Sequence, residues 1–304
     1  MSLEPFRPKD LRDIIGQQEV AETLIKLVYG TKTGGFFPHL LMVGPPGVGK
    51  TTAAYAVART LLGEDYQENF RELNASSDRG INIVREDLDP WTGQMPSNGA
   101  PFRILFLDES DQMTPDAQGA LRRVIERGES NCRFILAANR GQKIIPAIQS
   151  RCCPLNFKPL GDEDMVTILI TAAAKAGLPP DQARIKSAIS HSRGDARRAL
   201  NLFLSGTNEG DRYIRLDKAI EQLLHGQGTG GIRVESFIAS LRAEGFTEMD
   251  EVIESIMDSV WKDEKLDPES KSTWIEGLGL TAFRAASVQS PMLQLRSYLH
   301  GAAR

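Results

Sequence analysis

Residues 44–51 of this 304-residue chain read GPPGVGKT and match the pattern G-x-x-x-x-G-K-[ST] without a mismatch. Glycines let the backbone approach a phosphate closely, and a helix that starts here adds partial positive charge at its N-terminus. Lys50 is expected to reach the β- and γ-phosphates of a nucleotide, and the Thr51 hydroxyl to ligate Mg²⁺. The spacing therefore predicts a loop that binds nucleotide through Gly44, Pro45, Pro46, Gly47, Val48, Gly49, Lys50, Thr51 and Thr52.

Two carboxylates, Asp108 and Glu109, directly follow the apolar segment 104–107. In a phosphate-loop ATPase the first acid holds Mg²⁺, directly or through water, and the second orients and deprotonates the attacking water. An apolar strand that runs into an acidic turn is the alternative, because Asp111 follows closely. Since an intact phosphate loop precedes the pair, we interpret Asp108 as a metal ligand and Glu109 as a catalytic base.

The apolar segment 134–138 also ends in a polar residue, Asn139. Its side-chain amide could hold the attacking water or touch the γ-phosphate, although asparagine also commonly begins a loop. We therefore treat Asn139 as a candidate both for catalysis and for nucleotide binding.

Short apolar segments alternate with helical patterns between residues 38 and 157. We predict strands at 39–43, 70–74, 103–107, 132–137 and 153–157, and helices at 51–62, 81–88, 115–127 and 144–149. This alternation is typical of an α/β fold with a parallel sheet covered on both faces, in which ligands bind at the carboxyl ends of the strands. The phosphate loop and the acidic pair both fall at such ends, so a chance glycine-proline turn explains the loop poorly.

Strand signals disappear after residue 158, and the rest of the chain has helical periodicity. We predict helices at 162–176, 181–191, 195–204 and 215–224, followed by a glycine-rich linker at 226–231. Two apolar stripes follow at helical spacing: Val252, Ile253, Ile256, Met257, Val260 and Trp261, and then Leu293, Leu295, Tyr298 and Leu299. We expect a nucleotide-binding domain at 1–157, a small helical domain at 158–225 and a helical C-terminal domain at 232–304.

The composition is that of an ordinary globular protein, with 41% apolar and 25% charged residues. The net charge of −4 does not indicate a nucleic-acid binder, so any DNA contact must come from a local basic face. No apolar run approaches the roughly 20 residues that span a bilayer, and we expect neither a membrane segment nor a secretory signal. Three cysteines without a C-x-x-C pair and four scattered histidines favour a reducing compartment over a disulfide framework or a zinc site.

Several further segments carry a family resemblance: 4–8 (EPFRP), 13–17 (DIIGQ), 73–81 (LNASSDRGI), 108–111 (DESD), 118–126 (QGALRRVIE), 144–152 (IIPAIQSRC) and 194–201 (GDARRALN). Together they resemble the AAA+ ATPases, and within that group the small subunits of replication factor C, the archaeal and eukaryotic clamp loader. The phosphate loop alone is typical of a whole superfamily, whereas the segments 73–81 and 144–152 are much more specific. The resemblance covers most of residues 4–204; beyond residue 205 only the helical character matches.

The resemblance implies an AAA+ core followed by a helical lid and an all-α collar that holds subunits in a ring. It implies ATP and Mg²⁺ as cofactors, and a function in opening a sliding clamp and loading it onto primer–template DNA. The implied partners are the clamp, a large subunit, other small subunits and the DNA, without a membrane. The expected location is the cytoplasm of a prokaryote, associated with the nucleoid, or the nucleus of a eukaryote.

The resemblance also implies roles for individual residues. Arg151 corresponds to an arginine finger that reaches the γ-phosphate held by the neighbouring subunit, and Arg197 to a sensor arginine of the lid. Gln118, Arg122 and Arg123 resemble a helix that couples the DNA and ATP sites. The remaining matches are Arg7, Pro8 and Ile15 at the nucleotide, and Ile81, Arg85 and Lys143 at the DNA backbone.

Other functions remain open on the sequence alone. The chain could be a different AAA+ motor on nucleic acid, such as a branch-migration helicase or an initiator. It could also be a scaffold subunit that binds nucleotide without turnover, although the intact Lys50 and Glu109 argue against this. A small-molecule kinase is a more distant alternative, since no segment suggests an acceptor pocket.

Overall fold

The computed structural model describes residues 3–63, 65–75, 84–205, 208–246, 249–285 and 290–302. They belong to two compact units. The first contains the chain up to Pro180 together with Ser192–Asn201, and the second contains Asp181–His191 together with the chain from Leu202 onward. The division into three domains at 1–157, 158–225 and 232–304 stays a prediction.

A parallel sheet of five strands forms the centre of the first unit. The strands are β1 (His39–Val43), β2 (Phe70–Asn74), β3 (Arg103–Asp108), β4 (Cys132–Ala138) and β5 (Cys152–Asn156). Their order across the sheet is β2-β3-β4-β1-β5, and each pair of neighbours is parallel. The predicted α/β fold class is confirmed, and each strand matches its predicted range to within one residue at either end.

Helices cover both faces of this sheet. In chain order they are α1 (Gln18–Lys32), α2 (Lys50–Leu62), α3 (Asp89–Thr92), α4 (Pro115–Gly128), α5 (Pro146–Gln149) and α6 (Asp162–Ala176). Alternate side chains of β1 point to opposite faces, so Leu40 and Met42 pack in the core with α1 and α2, while Leu41 packs in the core with α4. Apolar layers on both faces therefore fix the positions of the strand ends. A binding site at those ends needs such fixed positions for its side chains.

The second unit is helical. Its helices are α7 (Gln182–Ser192), the end of α8 (Ala196–Leu204), α9 (Asn208–His225), α10 (Gly230–Ala243), α11 (Met249–Lys262), α12 (Pro268–Ala285) and α13 (Pro291–Ala302). In the described part of the chain, each helix is too short or too polar to span a bilayer.

Three features of the second unit differ from the sequence-based expectation. Helix α9 begins at Asn208 rather than 215, because Tyr213 already contributes to the buried face. The predicted linker is shorter than expected, since Gly230 and Gly231 form the first turn of α10. Trp261 is 70% exposed and does not belong to the apolar stripe of α11, because at helical spacing it lies on a different side of the helix from Val252 and Ile256.

Candidate nucleotide-binding site

A cleft of about 690 Å³ opens in the first unit, where β1, β3 and β4 end. Most of the residues predicted to contact nucleotide line it: Arg7, Pro8, Ile15, Pro46, Gly47, Val48, Gly49, Lys50, Thr51, Thr52, Asp108, Glu109, Asn139 and Arg197. Gly44 and Pro45 lie at the base of the loop, where their carbonyl oxygens accept hydrogen bonds from Lys50. Segments that are far apart in sequence thus meet around one cavity.

The phosphate loop requires glycine at positions where a side chain would not fit. A Cβ atom on Gly44 would lie 2.4 Å from the carbonyl oxygen of Phe157. Gly47 and Gly49 have φ angles of +70° and +104°, in the left-handed region that favours glycine. The loop conformation therefore depends on these residues, and its backbone is accessible to a ligand in the cleft.

Lys50 is buried at the base of the cleft, with only 7% of its surface exposed. Its Nζ donates hydrogen bonds to the carbonyl oxygens of Gly44 (2.6 Å) and Pro45 (2.7 Å) and to Oδ1 of Asn139 (2.9 Å). Burial lowers the pKa of Lys50, while the nearby Asp108 carboxylate acts in the opposite direction. Three acceptors thus match the three N–H donors of the ammonium group and fix its position beside the loop.

Hard oxygen atoms suited to Mg²⁺ meet at the start of α2. The Thr51 hydroxyl donates to Oδ2 of Asp108 at 2.8 Å, and the Glu109 N–H donates to Oδ1 of the same carboxylate at 2.8 Å. One hydroxyl and one carboxylate fit the sparse protein ligation typical of Mg²⁺, which takes its other ligands from phosphate and water. The donor set therefore suits a metal bound together with nucleotide.

Glu109 has an unusual backbone conformation for a residue with a side chain. Its φ angle of +53° lies in the left-handed region. Such conformations cost about 1–3 kcal/mol and occur preferentially at functional sites. The turn directs the chain away from β3 directly after Asp108, and Glu109 lines the cleft.

Asp111 has a structural role that the sequence did not reveal. Its Oδ1 accepts the backbone N–H of Asn139 at 3.1 Å, and the residue is only 5% exposed. The carboxylate thus links the loop after β3 to the loop after β4 and positions Asn139 beside Lys50. Asp111 belongs to the acidic segment noted in the sequence. That pattern does not show whether such a carboxylate is buried and hydrogen-bonded or exposed to solvent.

Arg151 lies outside the cleft, in contrast to the other predicted catalytic residues. Its guanidinium donates to the carbonyl oxygen of Ala147 at 2.6 Å and forms an ion pair with Glu126 of α4. Both side chains of the pair are partly exposed. A residue that acts on the site of a neighbouring subunit would be expected at such a surface position.

The predicted DNA-binding residues are only partly described. Lys143 lies exposed in the short helical turn Gly141–Lys143. Ile81 lies outside the described residues, and for Arg85 the structure describes the backbone alone, within Val84–Leu88. The proposed contact of these three residues with DNA therefore stays a prediction.

Gln118 is buried in α4 rather than exposed on a charged helix. Its Nε2 donates to the carbonyl oxygens of Lys143 (3.0 Å) and Met113 (3.3 Å), and its Oε1 accepts the Ile145 N–H at 2.9 Å. The side chain thus joins α4 to the segment that follows Asn139.

Comparisons with known proteins agree with this geometry. Residues 40–160 match the sequence model of the ATPase family associated with various cellular activities (AAA). Solved structures of the RuvB Holliday junction branch migration motor of Thermotoga maritima superpose with a TM-score of 0.57 over 96% of this chain and 91% of theirs. At 20% identity, this similarity shows the fold alone.

Curated relatives are more similar in sequence. The chain is 46% identical over 202 residues to the replication factor C small subunit of Methanocella arvoryzae, an alignment covering 66% of this chain and 62% of that relative. The chain thus matches less than two thirds of the length of this relative. The same holds for the replication factor C small subunit of Methanosarcina acetivorans, of which the match covers 63%. The replication factor C small subunit of Methanoregula boonei is 36% identical over 308 residues, 98% of this chain and 94% of the relative. The chain therefore belongs to the family of replication factor C small subunits, within the AAA ATPases.

Proposed function

We propose that the chain is an ATP-hydrolysing subunit of a clamp loader. In this proposal it binds ATP and Mg²⁺ in the cleft of its first unit and works in a ring with a large subunit and other small subunits. The ATP-bound ring opens a sliding clamp and grips primer–template DNA, and hydrolysis releases the clamp around the duplex. The helical C-terminal region, 232–304, would hold the subunits together.

The observation that carries the proposal is the meeting of Lys50, Asp108, Glu109, Asn139 and Arg197 at one cleft in a chain of this family. Phosphoryl transfer needs little covalent chemistry from a protein and depends mainly on positioning and on neutralising charge. The cleft supplies two cations, two carboxylates and a polar amide around a loop that fits phosphate, and this set suits ATP better than a ligand without phosphates.

Each side chain has a definite task in this proposal. Lys50 neutralises the β- and γ-phosphates, while Glu109 accepts a proton from the attacking water, which Asn139 helps to orient. Thr51 and Asp108 would hold the Mg²⁺, which supplies charge neutralisation between the phosphates. Arg197 would contact the γ-phosphate from the same chain.

Arg151 would complete the site of the neighbouring subunit. A guanidinium stabilises charge on the transferring phosphoryl group, and its supply from another chain ties hydrolysis to assembly. The exposed position of Arg151, outside its own cleft, supports this role. We therefore expect an isolated chain to be a weak ATPase.

DNA contact would be independent of base sequence. Ile81, Arg85 and Lys143 are proposed to follow the phosphate backbone, which is recognised by shape and charge. A local contact of this kind is compatible with a net charge of −4.

The first test is ATP turnover by the full chain, alone and with its candidate large subunit, with primed DNA, a sliding clamp, or both. Strong stimulation of the complex by DNA and clamp together is the expected result. Turnover that responds to DNA but not to the clamp would instead favour another AAA+ motor on nucleic acid. Absence of turnover in every combination, with the correct large subunit, would favour a scaffold.

A mixing experiment tests the trans role of Arg151 directly. Chains with Arg151→Ala and chains with Glu109→Gln should each assemble into complexes with little turnover. When the two are mixed, a Glu109→Gln chain can donate its intact Arg151 to the intact site of an Arg151→Ala neighbour, so turnover should partly recover. Absence of recovery in mixed rings, verified by differential tagging, would argue that Arg151 does not act across the interface.

A further inference from the structure

The turn that precedes Arg197 packs directly against the phosphate loop. The N–H of Ala196 donates to the carbonyl oxygen of Gly47 at 3.0 Å. A Cβ atom placed on Gly47 would lie only 1.7 Å from Oδ1 of Asp195, so the carboxylate rests against the Cα of this glycine. Glycine at position 47 therefore serves two needs, the positive φ of the loop and the close approach of Asp195.

A tight reversal of the chain brings Asp195 to this position. Arg193 and Gly194 both adopt left-handed conformations, with φ angles of +52° and +80°. The carbonyl oxygen of Gly194 accepts the N–H of Leu160 at 3.2 Å, and a Cβ atom at Gly194 would lie 2.8 Å from Pro159. The turn is thus fixed on the segment that follows β5 as well as on the phosphate loop.

Asp195 is also the N-cap of helix α8. Its Oδ1 accepts the N–H of Arg198 at 2.9 Å, and its carbonyl oxygen accepts the N–H of Ala199 at 3.0 Å. A side-chain acceptor at the N-cap satisfies one of the free backbone donors of the first turn and favours its helical conformation. The same carboxylate oxygen therefore stabilises the first turn of α8 and lies against Gly47.

Arg197 is the second residue of this first turn and lines the cleft. The direction of its side chain consequently follows from the position and regularity of the turn. Its charge lies close enough to Lys50 to act against protonation of that side chain. Both cations therefore line the same cleft.

From these contacts we infer that Asp195 is a positioning residue: it caps α8 and fixes the first turn against Gly47 so that Arg197 is directed toward the phosphates. The inference rests on the proposed function in one respect, since it takes ATP to be the ligand of the cleft. A carboxylate beside a phosphate site is electrostatically unfavourable for an anionic ligand. Its hydrogen bonds to the first turn of α8 hold it in this place, and its negative charge also acts to raise the pKa of Lys50.

The test is the affinity of the full chain for Mg-ATP and Mg-ADP, measured by titration calorimetry. Arg197→Ala should weaken ATP binding by about 10-fold and leave ADP binding within about 2-fold, because only ATP carries the γ-phosphate. Asp195→Ala should weaken ATP binding selectively by about 5-fold, the size of an ordinary N-cap interaction. The double variant should bind ATP no more weakly than Arg197→Ala alone, because Asp195 acts through Arg197.

Asp195→Asn is the matched control, since asparagine is an equally good N-cap without the charge. It should keep the preference for ATP over ADP that the unaltered chain shows. If Asp195→Ala does not fold, as judged by its circular dichroism and melting curve, Asp195→Gly replaces it. Because glycine at an N-cap costs less stability than alanine, this variant should lose less than about 5-fold in ATP affinity, again without a loss of ADP affinity.

Three results would overturn the inference. They are equal loss of ATP and ADP affinity in Asp195→Ala, additive losses in the double variant, and loss of ATP preference in Asp195→Asn. Each of these leaves the proposed function intact, because the unaltered chain still binds ATP. If the unaltered chain binds neither nucleotide, both the proposed function and this inference fail.

Discussion

Replacement of Gln118 by alanine should lower the free energy of unfolding of the first unit by about 2–3 kcal/mol. Gln118 is 3% exposed, and its side chain makes three hydrogen bonds, to Met113, Lys143 and Ile145. Each such bond contributes about 1 kcal/mol net, and a donor or acceptor left buried without a partner costs about 1–3 kcal/mol. Helix propensity would change in the opposite direction, since alanine is the best helix former.

The assay is urea unfolding of the full chain, followed by circular dichroism and by tryptophan fluorescence. The loss should appear as a fall of roughly 1 M in the midpoint of the first unit's transition, at an unchanged slope. Because two compact units can unfold separately, the two probes must be compared before a single transition is assumed.

Arg123→Ala is the matched control, since Arg123 is exposed on the same helix. It should change stability by less than about 0.5 kcal/mol. Gln118→Met separates packing from hydrogen bonding, because methionine fills a similar volume without either polar atom. If Gln118→Ala shifts the midpoint no more than Arg123→Ala does, the bridge from α4 to the Lys143 turn does not stabilise the fold, and the reasoning is refuted.

Three further predictions concern the cleft and the core. Lys50→Met should weaken Mg-ATP binding by about 10- to 100-fold in calorimetry, and unchanged affinity would contradict the role of Lys50. Glu109→Gln should reduce turnover of the assembled complex by about 100-fold while ATP affinity stays within about 2-fold; a parallel loss of affinity would count against a purely catalytic role. Burial lowers the pKa of His39 to about 4, so as pH falls the imidazole is protonated in the unfolded chain before it is protonated in the folded one. The free energy of unfolding should therefore fall as pH drops from about 6.5 toward 4. Between pH 7 and pH 4.5 the free energy of unfolding, measured in urea, should fall by about 2 kcal/mol less in His39→Gln than in the unaltered chain. An equal fall in both proteins would show that His39 is not the source of the pH dependence.

The strands and the phosphate loop could be predicted because their signals are local. An apolar run such as 104–107 is buried from both sides in a parallel sheet, so its type and its ends can be recognised from its own composition. The loop at 44–51 follows a spacing that phosphate chemistry imposes. These two signals together were enough to predict that Lys50, Asp108 and Glu109 lie at the same site.

Contacts between segments that are far apart in sequence could not be predicted. Gln118 lies among charged residues of α4, and its burial depends on the backbone of the Lys143 turn. Asp111 and Asp195 are similarly ordinary in sequence, yet one anchors Asn139 and the other contacts Gly47. Their partners become neighbours only when the sheet assembles, so no local pattern records them.

The two edge strands of the sheet have a consequence for assembly. Phe157 donates its N–H to Val43 of β1, and alternation along the strand turns the nitrogen of Pro154 to the opposite, outer side, where it has no hydrogen to offer. At the other edge, β2 carries the charged pair Arg71 and Glu72. Both features discourage the addition of another strand. The sheet is therefore a poor template for edge-to-edge pairing with another chain, so cross-β aggregation of the folded protein should not start from this sheet.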